Sequence, residues 1–194
     1  DNPAEEWSEP IVIDFAIGSC DPTLFWDDGK CYFLWKEGDI KICEIDVETG
    51  KQLGEIHHLG TGLGGRYPEG PHIYKKDGYY YLYFKEDITQ KIAYVKSKNL
   101  TGPYNTDYTI CSLNYFGVEG SSMYRINGTD SYMMIMDEYG QGTFFAQMTK
   151  DFVNFRQFQR SSMEIDHLKP RHGSVVSITE EEYKTLCEHY GVQK

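Results

Sequence analysis

One pattern occurs three times along this chain: an acidic residue, a short apolar strand, a polar turn ending in Gly, and a second strand rich in aromatics. It runs from Asp21-Pro22-Thr23-Leu24-Phe25 to Gly29, from Glu69-Gly70-Pro71-His72-Ile73-Tyr74 to Gly78, and from Glu119-Gly120-Ser121-Ser122-Met123-Tyr124 to Gly128. The leading acids recur at an interval of roughly 50 residues, the period of a propeller blade, in which equivalent positions of successive blades face a common axis. Such an arrangement predicts that Asp21, Glu69 and Glu119 converge on one pocket.

The rest of each repeat supplies further strands, giving predicted blades over 18–60, 66–105 and 115–160. Asp-Gly and Asn-Gly pairs provide the hairpin turns. The 16 Tyr and 10 Phe lie mainly in strand-like runs, which favours an all-β protein over a helical one. The C-terminal part departs from the repeat. Ser174–Ile178 reads as a closing strand, and Thr179 with Glu182 forms a capping box for a short helix whose Tyr183, Leu186, Cys187 and Tyr190 share one face, within a closing unit over 170–192. This helix is expected to pack on the outside of the domain. Before Asp21, Ile11–Ile17 offers about one more strand. The fold expected is therefore a single, incomplete β-propeller of about three blades plus closing strands.

A formal net charge of −11 argues against nucleic acid as a partner, because phosphate binding draws on clustered Lys and Arg. No apolar run approaches the ~20 residues of a membrane-spanning helix, so no membrane partner is expected. Five Cys, odd in number and without C-x-x-C spacing, do not suggest a zinc site or a complete disulfide framework. Gly60–Gly65 lacks the Lys-Ser/Thr ending of a phosphate-binding loop and reads as a flexible approach to Glu69.

Several stretches, taken in order, carry a family likeness: Cys20-Asp21-Pro22-Thr23-Leu24-Phe25-Trp26-Asp27-Asp28-Gly29-Lys30, Glu44–Lys51, Arg66-Tyr67-Pro68-Glu69-Gly70-Pro71-His72, Leu100-Thr101-Gly102-Pro103-Tyr104, Val118-Glu119-Gly120, and Arg171-His172-Gly173-Ser174-Val175-Val176. Together they closely resemble glycoside hydrolase family 43, the five-bladed β-propeller β-xylosidases and α-L-arabinofuranosidases, with the second half more similar to the arabinofuranosidase branches. The resemblance implies an inverting glycosidase acting on xylose- or arabinose-containing plant polysaccharides or oligosaccharides. Such an enzyme uses an Asp base, a second Asp that tunes and orients the acid, and a Glu acid.

Carried over by motif, Asp21 matches the tuning Asp and Glu69 the general acid. A register shifted by one blade makes Glu119 the acid instead. Arg171 and His172 match substrate-binding positions, and His172 also matches a position that contacts an axial ion through water. No cofactor is required by the resemblance, although a structural calcium or other ion on the axis fits it. Trp26 and Phe116, aromatics near turns, are candidates for stacking on a sugar.

The family's first one or two blades, which carry the base, have no counterpart here. Two other expectations therefore stand beside the enzyme: a catalytically inactive carbohydrate-binding propeller fragment, and a protein-interaction propeller. An incomplete ring also predicts either self-association through an exposed blade edge or a rearranged closure built from Ile11–Ile17 and Ser174–Ile178.

Overall fold

A computed structural model of the chain describes residues 4–5, 7–60, 68–158 and 171–192. It consists of three four-stranded antiparallel sheets, each built from strands consecutive in sequence. The first contains β1 (Cys20–Asp27), β2 (Lys30–Glu37), β3 (Asp39–Ile45) and β4 (His57–His58). The second contains β5 (Glu69–Lys76), β6 (Tyr79–Glu86), β7 (Lys91–Ser97) and β8 (Thr109–Ile110). The third contains β9 (Glu119–Arg125), β10 (Tyr132–Glu138), β11 (Thr143–Thr149) and β12 (Phe155–Gln157). These are blades in the expected order. The Gly60–Gly65 loop lies, apart from Gly60, outside the described residues.

Turn chemistry fixes the first hairpin of the first two sheets. Asp28-Gly29 and Asp77-Gly78 are two-residue turns with both residues at positive φ, 51° and 76° in one and 51° and 74° in the other. Paired positive φ values match the right-handed twist of the flanking strands, so the register follows as Asp27↔Lys30 and Lys76↔Tyr79.

The blades are joined by apolar packing between sheet faces. Leu34, Ile40 and Ile42 of the first sheet meet Ile73, Leu82 and Phe84 of the second in one cluster. A second cluster joins Tyr83 and Ile92 to Met123, Met134, Met136 and Phe145 of the third sheet. Tyr83, Phe84 and Phe152 are among the largest fully buried side chains, so much of the aromatic surplus seen in the sequence is spent between blades.

The far face of the first sheet carries Cys31, Phe33, Trp35 and Cys43, and it is covered by the N-terminal segment. Asp14–Ala16 forms a single 3₁₀ turn rather than the expected strand, and Ile13, Phe15 and Ala16 lie on the sheet. The Phe15 ring meets Phe33 and Trp35 edge-on, at centroid distances of 6.0 and 5.7 Å.

The C-terminal end differs from expectation in two ways. Residues 171–178 join no sheet, so Ser174–Ile178 is not a closing strand. Its Val and Ile residues favour a strand but need a partner edge in register to become a ladder, and the chain instead meets the axis at Arg171 and His172. The helix α1 (Glu180–Tyr190) does form, with Thr179 accepting from the Glu182 amide and Glu182 reaching back to the cap. None of its residues is buried, and Tyr183 and Tyr190 remain 41% and 66% exposed, so the predicted packing on the domain is not made.

Truncating Phe15 removes the ring that seals the first sheet. Phe15→Ala is expected to cost about 2 kcal/mol, below the value for a wholly buried Phe because this ring is only partly covered. A lowered urea midpoint with an unchanged slope would record it, whereas an unchanged midpoint would mean that the segment does not seal the sheet.

Candidate active site on the propeller axis

Each inner strand begins with a bulge. The register slips between Cys20 and Thr23 in β1, between Glu69 and His72 in β5, and opposite Ile135 and Asp137 in the β9–β10 pair. The residue after the first position of each strand takes the left-handed conformation: Asp21 at φ 53°, Gly70 at 59° and Gly120 at 55°. For the two glycines the reason is steric. A Cβ on Gly70 would lie 3.0 Å from the Gly120 nitrogen, and one on Gly120 would lie 2.8 Å from the His172 ring. The inner strands of the second and third blades thus approach backbone to backbone at the axis.

Only the first blade places a side chain at the left-handed position. Asp21 is a non-glycine residue in a conformation that costs roughly 1–3 kcal/mol, the kind of outlier that clusters at functional sites. Its Oδ2 accepts from the Gly70 amide at 3.0 Å. This revises the repeat read from sequence. Cys20, Glu69 and Glu119 share one register, facing Lys36, Lys85 and Asp137, and Asp21 is equivalent to Gly70 rather than to Glu69.

Around the axis, acids and bases alternate. Glu69 Oε1 lies 3.5 Å from Lys36 Nζ, and its Oε2 lies 3.4 Å from Lys85 Nζ. Lys85 reaches on to Glu119 Oε2 at 3.2 Å, with its ammonium 5.0 Å from the centre of the Tyr139 ring. Glu119 Oε1 accepts from Arg171 Nη2 at 2.6 Å and lies 3.1 Å from His172 Nε2. Asp137, fully buried, accepts from Arg171 Nε at 2.5 Å and, more weakly, from the His172 amide at 3.4 Å. His172 Nδ1 points back to Asp21 Oδ1 at 3.9 Å, which brings the first and last members together.

Burial pushes the Glu119 carboxyl up, but the His172 and Lys85 contacts outweigh it and hold the group below its usual range. Burial likewise opposes the charge on Lys85, and the Glu119 carboxylate reverses that effect, raising the ammonium's pKa. Glu119 and Lys85 thus stabilise one another in their ionised forms.

Beneath these pairs, Asp21, Thr23, His72, Ser121, His172 and Ser174 line an axial cavity of about 300 Å³. Of the residues singled out from sequence, Asp21 and His172 line this cavity, and Glu69, Glu119 and Arg171 belong to the chain of charges that His172 joins to it. Trp26 does neither. It lies five residues along β1 from Asp21, roughly 16 Å at ordinary strand rise, next to Asp27, which ties the blades at their opposite end through Lys75 Nζ at 2.6 Å and Tyr80 Oη at 2.5 Å. Phe116 lines a separate cavity of about 150 Å³ with Tyr115, Glu138 and Phe144. Turn-proximal position identifies an exposed aromatic but not the end of the blade on which it stands.

Lys36, Lys85 and Asp137 were missed. The signal existed, because counting back from each turn with one bulge residue sets them opposite the acids. One ligand atom from each of Glu119, Asp137 and His172 lies within 4.8 Å of the others, and Asp137 Oδ1 is buried without a partner among the described residues. A directly bound cation nevertheless fits these groups poorly, since the Arg171 guanidinium already bridges both carboxylates.

Comparison with known proteins gives a consistent picture. Residues 1–114 match glycosyl hydrolases family 43, and residues 71–184 match a probable glycosyl hydrolase domain, so the two matches overlap in the second blade. A non-reducing end α-L-arabinofuranosidase of Bacteroides ovatus is 37% identical over 108 residues, 53% of this chain and 20% of that protein. A xylosidase/arabinosidase of Butyrivibrio fibrisolvens is 39% identical over 118 residues, 51% of this chain and 23% of its own length. Among solved structures, the GH43B protein of a Bacteroides ovatus xyloglucan locus superposes with a TM-score of 0.56 at 28% identity, covering 69% of this chain and 29% of that one. The chain thus spans about a fifth of the length of these curated relatives.

Because Glu119 is held ionised in the folded state, its pairs stabilise the protein above the ordinary Glu range and lose that contribution as pH falls. Glu119→Gln is expected to cost about 1–2 kcal/mol at pH 7, discounted for partial exposure, with the gap from wild type closing below about pH 4. Urea melts of both proteins across that range test this. A gap that stayed constant with pH would show that the loss comes from packing rather than charge.

Proposed function

This chain belongs to glycosyl hydrolase family 43, and we propose that it hydrolyses O-glycosidic bonds of xylose- or arabinose-containing plant polysaccharides or oligosaccharides. The observation that carries the reading is the join between Asp21 and the residue after Glu69: the Asp21 carboxylate accepts the Gly70 amide at the axis, above a cavity of about 300 Å³. In this assignment Glu69 protonates the leaving oxygen, and Asp21, held by its left-handed backbone, orients the Glu69 segment and contributes negative charge beside it. The names of the relatives, an arabinofuranosidase and a xylosidase/arabinosidase, support the sugar class.

Glu119 is the weaker candidate for the acid. A carboxyl kept below its usual range by His172 and Lys85 is an acceptor at neutral pH, whereas a general acid must carry a proton to give. Glu119 serves better as the anchor that holds Arg171 and His172 over the cavity, where both can meet sugar hydroxyls. No residue is assigned as the water-activating base.

A second reading, a carbohydrate-binding propeller portion without turnover, is favoured by one observation: both oxygens of Glu69 face ammonium groups, from Lys36 and Lys85. For assembly, the cover that Phe15 and its neighbours give the far face of the first sheet leaves less apolar surface there for a second copy. Light scattering is expected to show a monomer.

Aryl β-xyloside and aryl α-L-arabinofuranoside decide between enzyme and binder. Turnover that falls by roughly 10²–10⁴-fold in Glu69→Gln and drops in Asp21→Asn supports the assignment. Sugar binding by calorimetry with no turnover in wild type would favour the binder, and activity unaffected by either substitution would overturn these roles.

A further inference from the structure

Two large aromatic rings stand in solvent beside the axial site, on a loop whose backbone is closely tied down. The loop joins β8 to β9 over residues 111–118, and it leaves Tyr115 91% and Phe116 55% exposed. Apolar surface left in water forgoes the main driving force of folding, so two adjacent rings held out on an ordered loop invite a functional explanation.

Buried amide side chains hold the loop. Gln147, fully buried on β11, accepts from the Leu113 amide at 2.9 Å and donates from Nε2 to the Cys111 carbonyl at 3.0 Å. Asn114, also buried, donates from Nδ2 to the carbonyls of Phe116 and of Gln90, the latter at 3.3 Å. The Gln90 carbonyl accepts from the Val118 amide as well, at 3.1 Å, and Gln90 itself takes the left-handed conformation, φ 56°, uncommon for a residue other than glycine. The start, middle and end of the loop are thus tied to the second and third blades. A Tyr or Phe ring on such a backbone has few torsions left to freeze when a ligand covers it, which lowers the entropic cost of binding.

The chemistry and the place of these rings select the ligand. They border the cavity of about 150 Å³ together with Phe144, Phe158, Glu138 and Gln157. Flat apolar faces next to a carboxylate and an amide suit a sugar, whose ring faces are C–H and whose rim is hydroxyl. Glu138 and the net charge of −11 set the site against anions. Tyr139, which follows Glu138, donates its hydroxyl to Gln90 Oε1 at 2.6 Å, and a Cβ on Gly117 would collide with it. The Lys85 ammonium lies 5.0 Å from the centre of the same ring and bridges Glu69 and Glu119. A single ring therefore separates this loop from the axial acids.

We propose that Tyr115 and Phe116 form a second carbohydrate-binding site, outside the axial cavity, which stacks on remote units of a xylose- or arabinose-containing chain while the bond to be cleaved lies at Glu69. The proposal rests on the glycosidase reading and deepens it, because a contact at that remove favours polymers and long oligomers over short ones.

Calorimetry with xylo- and arabino-oligosaccharides of increasing length tests this. Wild-type affinity is expected to rise with length and then level off. Tyr115→Ala and Phe116→Ala should each bind the longest oligomers roughly three- to tenfold more weakly, while ligands too short to reach the loop bind variant and wild type alike. Phe116→Tyr keeps a flat ring and should retain wild-type affinity. Tyr115 is almost wholly exposed, so Tyr115→Ala should keep its urea midpoint, which separates a lost contact from a lost fold. Where turnover is seen, KM for long oligomers should rise with kcat unchanged.

Affinity that does not grow with length, or long oligomers bound equally by wild type and both alanine variants, would overturn the proposal and leave the glycosidase reading standing. A wild-type protein that neither binds these sugars nor cleaves aryl glycosides would overturn that reading, and the proposal with it.

Discussion

The left-handed residue near the start of each inner strand governs how closely the three blades can meet, and most of the axial architecture follows from that distance. Two glycines let the second and third blades touch backbone to backbone and let the His172 ring lie against Gly120. The first blade accepts the strain of an aspartate at the same position and gains a carboxylate on the axis. With a side chain in all three places the strands could not converge, and with glycine in all three the Gly70 amide would lack the Asp21 carboxylate.

Around this narrow centre the charges are organised as a chain in which each group answers its neighbour. Lys36, Glu69, Lys85, Glu119, Arg171 and Asp137 alternate in sign, and His172 links the end of the series to Asp21. Burial opposes the charge on Lys85, and its compensation comes from two carboxylates of different blades. Ion pairs this enclosed add little net stability against a well-packed apolar alternative, but removing one partner strands the others. Their value lies in fixing side-chain positions at a place where three sheets and a terminal segment must agree.

Much of this was legible in the chain. The recurrence near 50 residues, the Asp-Gly turns and the capping box at Thr179 each state a local rule that tertiary packing did not override. The convergence of Asp21, Glu69 and Glu119 followed from treating repeats as equivalent, and that of Arg171 and His172 from the family resemblance. What escaped were consequences of a single inserted residue. A bulge moves one position out of register without changing composition, so Asp21 read as the counterpart of Glu69 when it is the counterpart of Gly70. The same slip concealed Lys36, Lys85 and Asp137. Trp26 failed for a different reason, since a strand of eight residues has two ends and the pattern of apolar residues is the same toward both. Ser174–Ile178 has the β-branched residues of a strand and shares a cavity with the edge strand β9, yet it forms no ladder, because local propensity does not by itself set a register.

Arg171 and His172 reach the axis from beyond the third blade, and this sets an order on assembly. Each sheet is made of strands adjacent in sequence, so its hydrogen bonds close locally and can form while later parts of the chain are still being made. The axial network cannot. Until residues 171 and 172 have emerged, Glu119 and Asp137 lie opposite each other across one strand pair with no guanidinium between them, and like charges so placed repel. The axial network is thus what must wait, and a ribosome-bound chain could hold three folded sheets while its centre is still incomplete.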